Sequence, residues 1–202
     1  MNTRIEMTTK DPWKTLMQFT YTTLGKEPSE KILNKVPTVD DWLDYLIPNH
    51  STLRCVEFIV YDKLPKSVIN QLLRATKGHP QPEVESSRPD WNNGKERSSD
   101  PYELKMFAQK HTAESFIELC KQRMCNRTEE RTRDTIHKWM GVLYKSNDPF
   151  FHALWSICNP SCIWLGFCPE RKRTCGYSKT NIFNTIRNKH ISHCEGENNG
   201  QT

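Results

Sequence analysis

Residues 50–91 decide the fold and read HSTLRCVEFIVYDKLPKSVINQLLRATKGHPQPEVESSRPDW. Within this segment, residues 55–61 are rich in β-branched and aromatic side chains, which predicts a strand. Pro65 then opens a helix, because proline is tolerated in a first helical turn. Apolar residues recur along that helix at helical spacing. They are Val68, Ile69, Leu72 and Leu73.

The same helix carries two polar residues, Gln71 and Arg74, three positions apart. Side chains at this spacing lie on one face of a helix, so they are expected side by side. Residues 77–101 follow, a polar stretch broken by glycine and proline in which no helix or strand pattern is present. A loop of this length in a compact domain is usually functional or disordered.

Capping residues and apolar spacing predict six further helices on either side of this segment. They span residues 12–24, 39–46, 113–123, 130–144, 150–157 and 181–189. A chain of 202 residues suits a single core, and this core is expected to be mostly helical.

The composition is that of a folded protein, with 35% hydrophobic and 26% charged residues. No apolar run approaches the ~18–20 residues that cross a bilayer, and the first residues lack the apolar region of a signal peptide. We therefore expect a cytoplasmic protein with no membrane partner. The net charge of +5 suits a phosphate-bearing small molecule or a nucleic acid equally well.

Eight cysteines in a reducing compartment are more often metal ligands than disulfide partners. Four of them lie within a short segment, at gaps of three, five and six residues, and predict one tetrahedral zinc site. They are Cys158, Cys162, Cys168 and Cys175. Residues 158–202 are thus expected to form a cysteine-rich tail with a disordered end, following a main domain of residues 1–157.

Three of the remaining cysteines have no assigned catalytic role. Cys55, Cys120 and Cys125 are expected to behave as small buried hydrophobic residues. His190, His193 and Cys194 are close enough to add or replace zinc ligands, although a polar tail favours solvent exposure for them.

Residues 50–91 resemble the core of the flavin-dependent thymidylate synthase family, ThyX. The shared pattern is a His-Ser segment, a strand, a proline-led helix with Q-x-x-R, and a nucleotide loop ending in S-x-R. Residues 121–134, KQRMCNRTEERTRD, resemble the family's stretch that holds an arginine for the substrate phosphate. Residues 150–176 resemble the cysteine-rich tail of some phage-type relatives.

The resemblance implies an α+β fold, with helices packed around a small antiparallel sheet, and a homotetramer whose sites draw on several subunits. It also implies roles for individual residues. Gln71 and Arg74 are expected at the junction of substrate and flavin, and Arg123 on the phosphate. The nucleotide loop contributes Ser86, Ser87 and Arg88.

The resemblance implies that Arg74, Ser86 and Arg88 are the catalytic positions. The family's R-H-R motif is altered, because this chain has Arg74-Ala75-Thr76 in its place. Lys77 and His79 lie where the motif continues, so either is a candidate to supply the missing flavin contact.

The function implied is reductive methylation of dUMP to dTMP, with FAD as cofactor and methylene-tetrahydrofolate and NADPH as co-substrates, in a bacterial or phage-infected cell. One alternative is another C5 modification of a pyrimidine nucleotide. A second is a non-catalytic nucleotide- or nucleic-acid-binding homologue that has lost its flavin and uses the tail as a zinc knuckle.

Overall fold

The computed structural model describes residues 3–88, 90–91, 94 and 98–195, which form one four-stranded antiparallel sheet surrounded by helices. The strands are β1 (Arg4–Met7), β2 (Glu57–Pro65), β3 (Gln81–Val84) and β4 (Leu104–Thr112). Their order across the sheet is β1-β2-β4-β3. β2 and β4 pair along all nine residues, so this central pair sets the register of the sheet.

One face of β2 is buried, as the alternation of a half-buried strand requires. Phe58, Val60 and Leu64 on this face are almost inaccessible to solvent, and Asp62 lies among them. The strand predicted over residues 55–61 is therefore present, with its start and end shifted towards the C-terminus.

The buried face of β4 is largely polar. Phe107 is buried between three polar side chains, whereas the apolar Leu104 and Met106 are partly exposed. The buried polar residues are Lys105, Gln109 and His111. β4 thus buries alternate residues, but its apolar residues do not mark the buried face.

Nine helices cover the sheet within the described residues. They are α1 (Pro12–Thr23), α2 (Glu30–Leu33), α3 (Val39–Leu46), α4 (Lys66–Leu73), α5 (Ala113–Arg123), α6 (Glu130–Tyr144), α7 (Pro149–Ile157), α8 (Ser161–Leu165) and α9 (Asn181–Glu195). The predicted α+β class is therefore confirmed. No helix in this part of the chain is both long and apolar enough to cross a membrane.

The stretch 77–101 corrects one expectation, because it contains β3. Pro82 lies in this strand, opposite Gln109 of β4. Proline cannot donate to a ladder and is confined to edge strands and bulges, and β3 is an edge strand. Its single apolar residue among four explains why no strand pattern was visible.

Phe58 joins the sheet to two helices through ring contacts. Its ring centroid lies 5.3 Å from that of Phe116 on α5, and 6.0 and 5.6 Å from those of Phe150 and Phe151 on α7. Edge-to-face pairs at these distances add to the gain from burying apolar area. The main core is therefore continuous from β2 to α5 and α7.

The tail has a second, smaller apolar cluster. Its buried members among the described residues are Cys162, Ile163 and Phe183, and Tyr177 packs against them. Gly166 ends α8 with φ of 80°, a left-handed conformation that favours glycine. The tail therefore has little apolar burial of its own to hold α8 and the turn after it.

Asp62 is a fully buried carboxylate that links the sheet to α6. Its oxygens accept hydrogen bonds from Trp139 Nε1 at 2.8 Å and from Lys138 Nζ at 2.9 and 3.2 Å. Its Oδ1 also accepts from the backbone N–H of Lys63 at 2.8 Å. A buried carboxylate needs such partners, so both acceptor oxygens are used.

Replacing Asp62 is expected to destabilise the protein by about 1–3 kcal/mol, because Asp62→Ala leaves the buried Trp139 N–H without an acceptor. Urea unfolding measures the change. Glu6→Ala is the control, since Glu6 pairs with Arg4 on the surface and its loss should leave the midpoint unchanged. Equal midpoints for Asp62→Ala and the parent would show that the contact contributes nothing.

His111 is a buried histidine on β4. Its Nδ1 lies 3.1 Å from Ser115 Oγ, and its ring packs against Phe58 and Phe116. Burial lowers the pKa of His111 from 6.5 to about 3. The folded protein therefore holds this ring neutral where the unfolded chain would protonate it.

Stability is expected to fall as the pH drops from 6.5 towards 3, because the unfolded state then binds a proton that the folded state excludes. The slope from this group is at most about 1.4 kcal/mol per pH unit. Denaturant unfolding at several pH values should show a shallower slope for His111→Gln than for the parent. His152→Gln is the control for replacing a histidine elsewhere in the protein. Identical slopes in all three proteins would show that His111 does not cause the pH dependence of stability.

Candidate functional site

Helix α4 presents two different faces to its surroundings. Val68, Ile69 and Leu72 are buried against the core. Gln71 points away from these buried residues, and Arg74 follows the helix as its C-terminal cap residue. A cation at this position interacts favourably with the negative end of the helix dipole.

Helix α5 brings Arg123 to the same place. The helix starts with a capping box in which Thr112 and Ser115 satisfy each other's backbone N–H groups, and it ends at Arg123. Arg123 Nη2 donates to the Gln71 carbonyl oxygen at 2.7 Å. The C-terminal ends of α4 and α5 are therefore joined by this arginine.

The electrostatics of Arg123 are those of an uncompensated cation. Burial lowers the pKa of Arg123, and the charge of nearby Arg74 lowers it further. Its Nε is buried and has no hydrogen-bond partner among the described residues. Neither arginine takes part in a salt bridge within the described chain, so this pair of charges favours an anionic ligand.

A cavity of about 620 Å³ lies at this point, a size within the usual range of ligand sites. Gln71 and Arg123 line it together with Lys121 and Arg127, and Glu129 contributes an acidic group. Lys121 is already paired with Glu118 at 2.8 Å. The free positive charge in the cavity therefore comes from the arginines.

The nucleotide loop predicted from the sequence lies on another side of α4. Ser87 lines a separate cavity of about 340 Å³ with Lys66, Ile69 and Leu73 of that helix. Ser86 Oγ accepts the backbone N–H of Arg88 at 3.1 Å. The described structure of one chain thus does not bring Ser86–Arg88 and Arg123 into a shared cavity.

The Arg88 side chain is engaged within its own loop. Its guanidinium donates to Asp90 at 2.7 and 3.2 Å and lies 5.3 Å from the ring centroid of Trp91. The arginine and the aspartate are both more than half exposed, so this ion pair is weak and a ligand can displace it.

The residues predicted to contact flavin are dispersed. Lys77 Nζ pairs with Glu118 at 3.1 Å, whereas His79 lines a third cavity of about 210 Å³ beside Lys110 and His111. Arg74 remains beside Arg123. Within one chain, the three predicted flavin contacts therefore do not form a cradle for this cofactor.

Gly78 lets the chain between Lys77 and His79 run close to α5, because it has no side chain. A Cβ atom at Gly78 would lie 2.6 Å from the Ser115 Cα, and its φ of 72° also favours glycine. This close approach directs Lys77 towards Glu118 and away from the Arg123 cavity.

The four cysteines predicted to bind zinc are divided. Cys162, Cys168 and Cys175 line the Arg123 cavity. Cys158 is instead buried beside Cys120. Burial raises the pKa of the Cys120 thiol, and the neighbouring Cys158 thiol raises that pKa further. Among the described residues, no three or more His, Cys, Asp or Glu side chains are arranged as a metal site.

The sequence prediction missed Cys125 and Arg127 as cavity residues. Cys125 was expected to be a buried hydrophobic residue, but it lies half-buried in the cavity wall. Cys120 does have the predicted character, since it is fully buried. The signal available was the position of Cys125, two residues after Arg123, which places it near the same helix end.

Comparison with solved structures bears on the fold alone, because the similar structures are only 8–12% identical to this chain. No protein-family model matches the chain, and no curated protein matches its sequence. The flavin-dependent thymidylate synthase ThyX of Helicobacter pylori, solved with FAD and dUMP, is 12% identical with a TM-score of 0.57, over 79% of this chain and 100% of that one.

Two further structures extend the comparison. A second structure of ThyX from Helicobacter pylori with FAD and dUMP is 12% identical with a TM-score of 0.54, over 75% of this chain and 99% of that one. The UMP/dUMP methylase PolB of Streptomyces cacaoi, bound with 5-Br dUMP, is 8% identical with a TM-score of 0.54, over 79% and 97% of the two chains. These likenesses establish a ThyX-like fold.

Proposed function

We propose that this chain binds a pyrimidine nucleoside monophosphate of the dUMP type in the cavity between the C-terminal ends of α4 and α5. The observation that carries the proposal is the state of Arg123. It is half-buried, its Nε has no partner among the described residues, and Arg74 adds a second positive charge nearby. A phosphate group supplies the acceptor oxygens and negative charge that this arrangement favours.

Arginine suits this role better than lysine, because its planar guanidinium donates two parallel hydrogen bonds to a phosphate. Arg123 is also held in place, since Nη2 is committed to the Gln71 carbonyl oxygen. Its other donors stay available for the ligand. Arg127 at the cavity wall provides further charge.

The fold supports the choice of nucleotide. Structures with this fold were solved with dUMP or 5-Br dUMP. At 8–12% identity the likeness bears on the fold alone. The assignment of dUMP to this chain therefore rests on the Arg123 cavity taken together with the fold.

We propose that Ser86, Ser87 and Arg88 reach a nucleotide bound by a neighbouring subunit in a homotetramer. This follows from their position on the side of α4 away from Arg123. One bound nucleotide contacts both the Ser86–Arg88 loop and Arg123 only if these come from different copies of the chain. The weak Arg88–Asp90 pair is then exchanged for a contact with the ligand.

For the reaction, we propose methylation at pyrimidine C5, with FAD, methylene-tetrahydrofolate and NADPH as in the thymidylate synthases that the sequence resembles. When bound, the flavin supplies the redox step. The chain's own residues hold and orient the pyrimidine nucleotide.

A second candidate function is a nucleotide-binding protein without flavin. Two observations favour it. The predicted flavin contacts Arg74, Lys77 and His79 are dispersed, and Ala75 is buried where the family motif has histidine.

Replacing Arg123 by alanine is expected to weaken dUMP binding by about 1.5–3 kcal/mol, the cost of losing hydrogen bonds to a charged group. Calorimetry with dUMP and with deoxyuridine separates phosphate recognition from folding, since only dUMP should bind more weakly. Arg131→Ala is the matched control, because Arg131 lies on α6 with its guanidinium 4.2 Å from the ring centroid of Tyr102. Unchanged dUMP affinity in Arg123→Ala would remove the proposed site.

Flavin is expected to bind weakly, because buried Ala75 offers neither a donor nor a ring and Lys77 is paired with Glu118. Visible absorbance before and after desalting measures how much FAD is retained. Release of tritium from C5-labelled dUMP, with FAD and the co-substrates supplied, measures turnover. Tight flavin retention would show that other residues compensate, whereas dUMP binding with no flavin and no tritium release would favour the second candidate.

A further inference from the structure

Four cysteines from separate segments meet at the wall of the Arg123 cavity. Cys125 follows α5, Cys162 lies in α8, and Cys168 and Cys175 are on either side of the turn 169–174. Cys125 is separated from the others by at least 36 residues in the chain. The spacing already grouped Cys162, Cys168 and Cys175, but only the fold brings Cys125 to the same cavity.

All four thiols line the same cavity. Cys162 is buried, Cys125 and Cys168 are half-buried, and Cys175 is exposed. The fold therefore shields three of the four thiols at least in part and leaves one of them at the surface, from which an ion can enter.

The backbone around two of the cysteines has the features of a metal-binding turn. The backbone N–H of Arg127 points at Cys125 Sγ with an N to S distance of 3.5 Å. Gly176, directly after Cys175, has φ of 80° and so reverses the chain beside that thiol. Hydrogen bonds to ligand sulfur orient the ligands of a metal and neutralise part of their charge.

We propose that Cys125, Cys162, Cys168 and Cys175 bind one Zn²⁺ ion and fasten the tail to the end of α5. Cys125 thus takes the place that the sequence spacing gave to Cys158. Four thiolates around zinc carry a net charge of −2, and Arg127 in the cavity wall offsets part of it. The site does not depend on nucleotide binding.

Closure around the ion needs a movement of the exposed turn 169–174. In the described structure the four thiols line the cavity without forming a closed metal group. Residues 169–174 are exposed, and the backbone hydrogen bonds of Arg171 and Arg173 stay within the turn. This turn can therefore carry Cys168 and Cys175 inwards without breaking core contacts.

Zinc would add to the limited packing that holds the tail. Among the described residues, its own apolar cluster buries only Cys162, Ile163 and Phe183, while Trp164 packs against the main core. A structural zinc contributes about 10–16 kcal/mol of binding energy in zinc-finger peptides.

Elemental analysis and cobalt spectroscopy of the full-length chain test the site. Purified protein is expected to contain about one zinc per chain, and Co²⁺ exchange should give the absorption of a tetrahedral thiolate complex. Cys125→Ser and Cys175→Ser should each weaken metal binding by about 100-fold or more, since even indirect changes around a metal cost 10–100-fold. Cys175 is exposed, so its variant should fold normally.

Cys158→Ser and Cys194→Ser are the controls and should retain the metal. If Cys125→Ser keeps zinc and Cys158→Ser loses it, the ligand set from the sequence spacing is correct and this proposal is wrong. Two other results would overturn it: a folded parent protein that takes up neither Zn²⁺ nor Co²⁺, and a mass spectrum showing a disulfide between any two of the four cysteines. Unchanged dUMP affinity in Cys175→Ser would show that the metal and nucleotide sites are independent.

Discussion

The contacts of the Phe58 ring, together with the nine-residue pairing of β2 and β4, hold the fold together. The ring meets His111 across the sheet, Phe116 on α5, and both phenylalanines at the start of α7. Because α5 begins at the end of β4, a fixed β2–β4 register also fixes where α5 starts. The position of Arg123 at the far end of that helix, and hence of the cavity, follows from the same register.

The sequence predicted the helices better than the strands, and the reason is physical. Helices such as α1 and α7 begin at an Asp-Pro pair and carry apolar residues at helical spacing, so their signals are local. β4 buries Lys105, Gln109 and His111 and exposes Leu104 and Met106, which reverses the usual link between polarity and burial. Only its partner strand and the helices above it decide which face of β4 is inside. The antiparallel sheet was expected from the family resemblance and not from the residues of β4.

The candidate site was predictable in part. Gln71 and Arg123 were singled out from motifs on two helices, and a hydrogen bond from Arg123 to the Gln71 carbonyl oxygen joins the ends of those helices. Motif order could not show that Ser87 lies on another face of α4, because that depends on how the chain returns through β3. Spacing likewise grouped Cys158 with the tail cysteines. Cys158 immediately follows α7, whose packing carries it into the main core beside Cys120.

The two edges of the sheet restrict how copies of this chain can associate. β1 and β3 are each four residues long, and β3 contains Pro82, which has no N–H to offer an incoming strand. Long, regular edges invite strand addition and aggregation, whereas short edges and proline discourage both. These edges therefore disfavour open-ended growth into fibres. They favour assembly through side-chain surfaces, where a closed number of subunits can be specified.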